Sequence, residues 1–568
     1  MRLRTIVFTF CICFSVIQMK AQICTNELPM GFYQEQKTIE MPERAFATIK
    51  MPPLDMGKIE AEDLLDEKNG IPPRFGYLHN VSYDLSNSGI WLELPNGDKL
   101  WQLSISCPGA SSVSFDYDKF WIPKGGKFFV YTKDRRHAIG AFTSQNNMGD
   151  SINPKEYATG LLPGSEMVLE YYQPKEVSTN AIISIEHIVH GYRNVRSGNM
   201  FFGQSGSCMV NVNCEEGTNW QNEKKAIAMV IFQGRVIGSG ALMNNTAQTQ
   251  EPLFLTANHC IKNLGDAAGN ATFNNHLTVF YWDYETPGCL NDSLVPLRHY
   301  TYGATIVANN AASDFALLKL IEDPRNLPNY TPYYLGWDCS GDAGEPGVCI
   351  HHPKGDVKKI STVDETPIST NLVPGVTGGS HWRLYWKETL NGYGTTENGS
   401  SGSPLLNAEH KVIGQLHSSA TQGCQNPSLF SRFGKFNVSW TGNDNDSICR
   451  RLSHWLDSQN TGVQKMEGLL VIRRDSIINV DQQFYGNTLI TGNTQLTIQS
   501  NIELFGNSRI TVEAGSTLFI NGGTLSNASL ELKPGGTLRI ANDGIIEIRN
   551  DFHVPIGAMV EIESGQIL

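Results

Sequence analysis

The stretch Asn398-Gly399-Ser400-Ser401-Gly402-Ser403-Pro404 has the composition of a tight turn that offers a hydroxyl and bare backbone N–H groups to an incoming carbonyl. Serine is a weak nucleophile until a base removes its proton, so the turn has chemical meaning only with partners. Two upstream segments supply them. Leu255-Thr256-Ala257-Asn258-His259-Cys260 carries a histidine at the end of an apolar run, and Ala312-Ser313-Asp314-Phe315 places an aspartate ahead of another. His259, Asp314 and Ser401, in that chain order, are the set that acyl transfer by a serine hydroxyl requires.

The elements that must position this set occupy only part of a long chain. At 568 residues it exceeds what one hydrophobic core organises, so several domains are expected. Charged residues make up only 18% and glycines number 54, which favours short strands and many turns over long helices. The formal net charge of −12, with no basic run, argues against nucleic acid as a partner. Residues 1–21 read as a signal peptide: Arg2 and Arg4 precede an apolar stretch, Ile6 to Ile17, too short to span a bilayer. No later run reaches the length of a membrane helix, so the expected mature chain has no membrane span, and export permits disulfides.

Residues 22–202 are expected to form a β-rich accessory domain. Gly89–Leu94 and Leu100–Ile105 read as strands about the turn Pro95-Asn96-Gly97-Asp98, and Phe128–Tyr131 repeats the pattern, so a β-sandwich is predicted. His187 and His190 lie on a mixed apolar segment and are read as structural. Residues 203–469 carry the chemistry. Ala226–Phe232 and Arg235–Leu242 read as paired strands, and short strands with regular turns suit two small antiparallel barrels with the three residues in the cleft between them. The overall fold class is therefore mainly β.

Within 203–469 a further set of motifs becomes specific: Ser205-Gly206-Ser207-Cys208, Asn244-Asn245-Thr246, Gly336-Trp337-Asp338, Ile350-His351-His352-Pro353, Gly414-Gln415-Leu416-His417 and Trp455-Leu456-Asp457. With the three segments above, they resemble the trypsin-like serine proteases, and most closely the secreted bacterial lysyl endopeptidases. The resemblance implies a two-barrel fold and a serine endopeptidase acting on protein or peptide substrates, without a cofactor. It makes Ser401 the nucleophile, His259 the general base and acid, and Asp314 the residue that fixes the imidazole. The oxyanion hole would be the N–H groups of Gly399 and Ser401. An N-terminal propeptide is also implied, which makes 22–202 a prodomain cut away near Phe202–Gly203.

By the same resemblance His417 lines the substrate cleft, while the tryptophan that stacks on its counterpart falls near Val373 or Pro374 and is missing here. The aspartate that receives a lysine side chain in the family falls at Ser431, a neutral hydroxyl. Glu397 matches a second acid near the pocket, and Ser418 replaces a wall glycine. Weakened lysine selectivity follows, with a residual preference for basic residues carried by Glu397. The implied disulfides are Cys208–Cys424 and Cys214–Cys289, whereas Gly238 stands where Cys260 would find its partner. Pairings among Cys260, Cys339, Cys349 and Cys449 stay open, and Cys24 is free to pair with Cys107. No HExxH run or other metal-ligand spacing occurs, so no metal is expected and His351-His352 are read as structural.

Beyond residue 470 the texture changes. Gly515, Gly535 and Gly557 recur at near-constant spacing, each after an alternating segment such as Ile510–Glu513 or Leu530–Lys533. This predicts a β-solenoid over 470–568, a stabilising cap or a module for cell-surface attachment. Two function classes result: an exported serine endopeptidase made as a precursor, or a catalytically inactive surface-binding protein with flanking β-modules.

Overall fold

The computed structural model describes residues 27–33, 48–69, 71–193, 203–262, 274–291, 299–372, 378–420, 424, 430–443 and 447–568. The segments expected to be the signal peptide, the Phe202 side of the processing site, and positions 373 and 374 lie outside these residues.

Alternating apolar residues in the N-terminal part fold as predicted into two facing sheets. In one, Lys99–Ser106 pairs with Glu166–Gln173 on one side, and with Ile90–Glu93 through the predicted hairpin. In the other, Ile182–Gly191 lies between Gly76–Asp84 and Ser112–Trp121. The inner faces enclose Trp101, Phe115, Tyr117, Phe120, Phe128 and Tyr157, all essentially inaccessible to solvent. His190 is buried there with its Nδ1 3.2 Å from His79 Nε2, and burial together with that neighbour lowers its pKa to about 4.

The strands Ile227–Phe232, Arg235–Leu242, Leu253–Ala257, Phe315–Leu320, Tyr300–Asn310 and Asn274–Tyr281 close into a barrel. Side chains alternate across a strand. Ala228 and Val230 therefore enter the barrel core while Met229 and Ile231 join the core of the N-terminal sandwich. Val279, Tyr281 and Tyr302 do the same from neighbouring strands. That double burial explains why Ala226–Phe232 reads as an unbroken apolar run.

The second half of the central region is one ten-stranded sheet. Its middle runs Pro346–His351, Pro404–Asn407, Lys411–Ser419, Ser431–Lys435, His381–Leu384. Two closed barrels were expected, and among the described residues only the first closes. A short helix forms near the end of the central region, at Ser453–Leu456.

The C-terminal part is a parallel solenoid of three sheets, two of five strands and one of four that Tyr333–Tyr334 of the central region extends to five. Leu496, Leu518, Leu538 and Val560 stack in register, and the Gly515 N–H donates to the Gly535 carbonyl as Gly535 does to Gly557, both at 2.8 Å. The recurring glycines are the turns of successive coils. The first coil is seated on the central region: Tyr333–Tyr334 pairs antiparallel with Leu469–Leu470, the Tyr333 hydroxyl donates to the Tyr485 carbonyl (2.9 Å), and His410 is stacked between Trp220 and Tyr485. A chain truncated before Leu469 uncovers these buried aromatics. We expect its melting temperature to fall by roughly 5 °C or more, measured by scanning calorimetry; an unchanged transition would show the solenoid to be energetically independent.

Candidate active site

His259 stands on the short helix Asn258–Lys262, directly after the barrel strand Leu253–Ala257. Asp314 precedes the neighbouring strand Phe315–Leu320 in a left-handed conformation, φ 59°, which aspartate tolerates better than most residues. That backbone turn allows a three-point clamp. The Asp314 carbonyl accepts from the Asn258 N–H at 2.7 Å, its Oδ1 accepts from the His259 N–H at 2.9 Å, and its Oδ2 accepts from His259 Nδ1 at 2.6 Å. Asp314 is buried and the imidazole is partly open to solvent. Burial opposes charge on His259, while the Asp314 carboxylate bonded to its Nδ1 favours it and raises the pKa of the imidazole. The imidazolium that forms when a base accepts a proton is thereby favoured.

The two serines of the turn have different surroundings. Ser400 is fully buried, with its Oγ 2.8 Å from His351 Nδ1. On its other side His351 Nε2 lies 3.0 Å from Ser361 Oγ, which itself donates to the Thr395 carbonyl. Ser361 therefore accepts from His351, and His351 Nδ1 accepts from Ser400. Burial, with Lys359 nearby, lowers the pKa of His351 to about 3, so the neutral ring that this pattern requires is the stable one. Ser401 lies on the less buried side of the turn.

One residue ties this turn to the barrel that carries His259. Ser239 is fully buried; its N–H donates to the Ser401 carbonyl (2.8 Å) and its Oγ donates to the Gly399 carbonyl (2.8 Å). Ser239 Oγ accepts from the His352 N–H (3.1 Å), and its carbonyl accepts from Thr256 Oγ1 (2.8 Å), three residues before His259. The N–H groups of Gly399 and Ser401 donate to nothing among the described residues. Gly399 sits at φ 90°, where a side chain would be strained. Sequence reading passed over Ser239, whose only signal was a small polar residue within a strand of apolar and glycine positions.

Behind Asp314 lies a chain of polar contacts. His417 Nε2 is 3.7 Å from Asp314 Oδ2, its Nδ1 is 2.8 Å from His381 Nε2, and His381 Nδ1 is 2.6 Å from Ser380 Oγ. Burial first, then His417, lowers the pKa of His381 to about 4, so the chain is held by a neutral ring. Nitrogens of His259 and His417 and an Asp314 oxygen all lie within 4.8 Å, the one group among the described residues that a metal ion could bridge.

The pocket candidates divide. Ser431 Oγ lies 3.0 Å from Thr396 Oγ1 and 2.9 Å from Ser419 Oγ, and accepts from Trp386 Nε1 at 3.1 Å, so hydroxyls and an indole N–H gather where an acid was missing. Ser418, one residue along, has its Oγ buried without a partner among the described residues. Glu397 is turned inward: its side chain is 1% exposed, accepts from the Gly206 N–H at 3.1 Å and pairs with Lys354 at 3.3 Å. Gly203 N–H and Ser205 N–H both donate to the Asp356 carboxylate (2.9 and 3.1 Å), anchoring the start of the central region. A cavity of about 680 Å³ lies elsewhere, between Lys224, Trp282 and Lys358 and the solenoid residue Asp481.

Cys208–Cys424 and Cys214–Cys289 are bonded, with Cα atoms 5.6 and 4.3 Å apart. Cys260, Cys339, Cys349, Cys449 and Cys107 are free, and Cys24 is outside the described residues. A Cβ built on Gly238 would lie 2.8 Å from Cys260 Sγ, so the vacated bridge position is where the resemblance put it.

Residues 202–431 match the family described as lysyl endopeptidase, C-terminal domain. The chain resembles the lysyl endopeptidases. A lysyl endopeptidase of Pseudomonas aeruginosa is 28% identical over 346 residues, covering 56% of this chain and 67% of that protein. Solved structures with partial likeness include a serine endoprotease from Yersinia pestis (15% identity, 39% of this chain and 63% of that one, TM-score 0.26). Another is the HtrA-type protease AlgW (17%, 39% and 60%, TM-score 0.26). By its resemblance to the lysyl endopeptidases the central region is a serine endopeptidase domain.

Substitution Ser239→Ala removes the Oγ contacts to the Gly399 carbonyl and the His352 N–H while leaving the Ser401 side chain itself unaltered. We expect kcat to fall about ten- to a hundredfold, equivalent to ~1.4–2.7 kcal/mol, with little change in KM. Unaltered kcat would show that Ser239 does not hold the turn.

Proposed function

We propose that the protein is an exported serine endopeptidase, made as a precursor, that cleaves peptide bonds through an acyl-enzyme. The observation that carries this reading is the His259–Asp314 clamp on a barrel that Ser239 ties to a turn whose Ser400 is locked to His351 and whose Gly399 and Ser401 N–H groups have no partner among the described residues. Ser401 Oγ attacks the carbonyl as His259 takes its proton, and Asp314 stabilises the imidazolium. The two N–H groups receive the oxyanion. His259 then delivers its proton to the leaving amine, and water repeats the sequence to free the acid.

Export is supported by the basic-apolar start of the sequence and by the two disulfides. Among the described residues no helix is long and apolar enough to cross a membrane. Cell-surface attachment through the solenoid stays a proposal. Processing beside Gly203 is supported by the match beginning at 202 and by Asp356, whose buried carboxylate already holds the Gly203 N–H and would receive an α-ammonium there. Secreted wild type is expected to label with a fluorophosphonate and to begin at Gly203. Ser401→Ala is expected to lose the label and to retain its N-terminal domain. Properly processed wild type that does not label would sink the enzymatic reading, and normal processing of Ser401→Ala would exclude self-cleavage.

For the residue before the cut, a desolvated lysine ammonium needs a carboxylate. Ser431, Thr396 and Ser419 supply only hydroxyls, and the cation-attracting role expected of Glu397 is opposed by Lys354 beside it. We therefore expect weak discrimination between lysine and glutamine, a change of less than about threefold in Glu397→Gln, and a gain for lysine of about tenfold or more in Ser431→Asp. A panel of peptides differing at that residue reads all three. Strict lysine cleavage by wild type would place the pocket elsewhere.

A further inference from the structure

Beside the catalytic cleft, three adjacent strands place two arginines and a serine in one cross-strand row. Arg383 pairs with Arg432, and Arg432 pairs with Ser418. Side-chain alternation sends Trp382, Leu384 and Phe433 into the core, which leaves His381, Arg383 and Arg432 on the opposite face. Both guanidinium groups lie over the Phe430 ring, Arg432 with its Cζ 4.5 Å and Arg383 with its Cζ 5.7 Å from the ring centre. The same face continues through His381 to His417 and Asp314, so the arginines are continuous with the catalytic residues.

Like charges directly opposite one another in an antiparallel pair destabilise the sheet. Neither arginine forms an ion pair among the described residues, and the adjoining stretches 373–377 and 421–429 contain no Asp or Glu. Two polar atoms in this row are also left over. Arg383 Nε and Ser418 Oγ are buried without a hydrogen-bond partner among the described residues. An unsatisfied buried donor is costly, and more so when charged. Two uncompensated cations and two orphaned donors in one row fit one ligand chemistry: a carboxylate accepting from both.

We propose that Arg383, Arg432 and Ser418 form a subsite for an aspartate or glutamate side chain of the substrate, on the N-terminal side of the scissile residue. The proposal rests on the endopeptidase reading. The polar pocket built around Ser431 belongs to the next row, Leu384–Ser431–Ser419, and faces the other side of the strand. The residue before the cut and the acidic residue are therefore received separately, and the second contact acts mainly on binding.

The test uses peptides with one common cleaved residue and Asp, Asn or Lys at each of the three positions before it. With wild type, Asp at one of these positions should raise kcat/KM about tenfold over Asn, chiefly through KM. The advantage should shrink as salt is added, and Lys should be the poorest. The double substitution Arg383→Gln with Arg432→Gln should bring the Asp and Asn peptides together, and Arg432→Glu should reverse the order of Asp and Lys. Binding of the N-terminal product peptides to Ser401→Ala, followed by fluorescence anisotropy, reads the same preference without turnover. Equal cleavage and equal binding of Asp and Asn peptides at all three positions in low salt would overturn the subsite. Fluorophosphonate labelling reports separately on the endopeptidase reading. A protein that binds Asp peptides selectively but does not label keeps the subsite and loses the enzyme.

Discussion

The junction between the His259–Asp314 pair and the serine turn depends on one buried serine. Ser239 belongs to the closed barrel that carries His259 and Asp314, yet its N–H and hydroxyl hold the backbone on both sides of Ser400, which belongs to the second sheet. Without that junction Ser401 and His259, the proposed nucleophile and base, would sit on two bodies joined chiefly by packing. Catalysis by positioning tolerates errors of well under 1 Å. Rigid hydrogen bonds inside a dry interface are therefore needed, and the His351–Ser400 contact supplies the second of them.

The barrel is itself held from outside. Its strands bury one face in their own core and part of the other against the N-terminal sandwich, so Met229, Ile231, Tyr281 and Tyr302 have no solvent-facing state in this arrangement. Apolar burial contributes roughly 25 cal/mol per Å², and several aromatic side chains shared between two parts make a tight attachment. The solenoid is attached in the same manner on the other side, through Tyr333, His410 and Tyr485. The proposed triad is thus carried on a scaffold braced at both ends.

Around the cleft, charge is distributed unevenly. Carboxylates near the turn are already occupied: Glu397 with Lys354, Asp356 with Lys359 and the Gly203 N–H, Asp314 with His259. The hydroxyls about Ser431 are neutral, and the two half-buried arginines lie on the opposite face of the same strands. A chain of net charge −12 that leaves two cations side by side on this face keeps them available to bind something.

Much was legible in the residues alone. The pairing of His259 with Asp314, the hairpin at Pro95–Asp98, and the repeating glycines of the solenoid could be read because each announces itself in a local pattern: motif, turn chemistry or fixed period. The absence of an acid at Ser431 could be read in the same way. What local pattern could not supply was partnership across the chain. Sequence does not separate Ser400 from Ser401 by environment; the fold does, by burying Ser400 on His351. Glu397 reads as a free acid until Lys354 and Gly206 are brought to it. Ser239, His381, and the row Arg383–Arg432–Ser418 acquire their meaning only from strand register, which places residues 14 to 162 positions apart within hydrogen-bond reach or directly opposite one another. Register is set by the packing of whole sheets, and no single segment contains it.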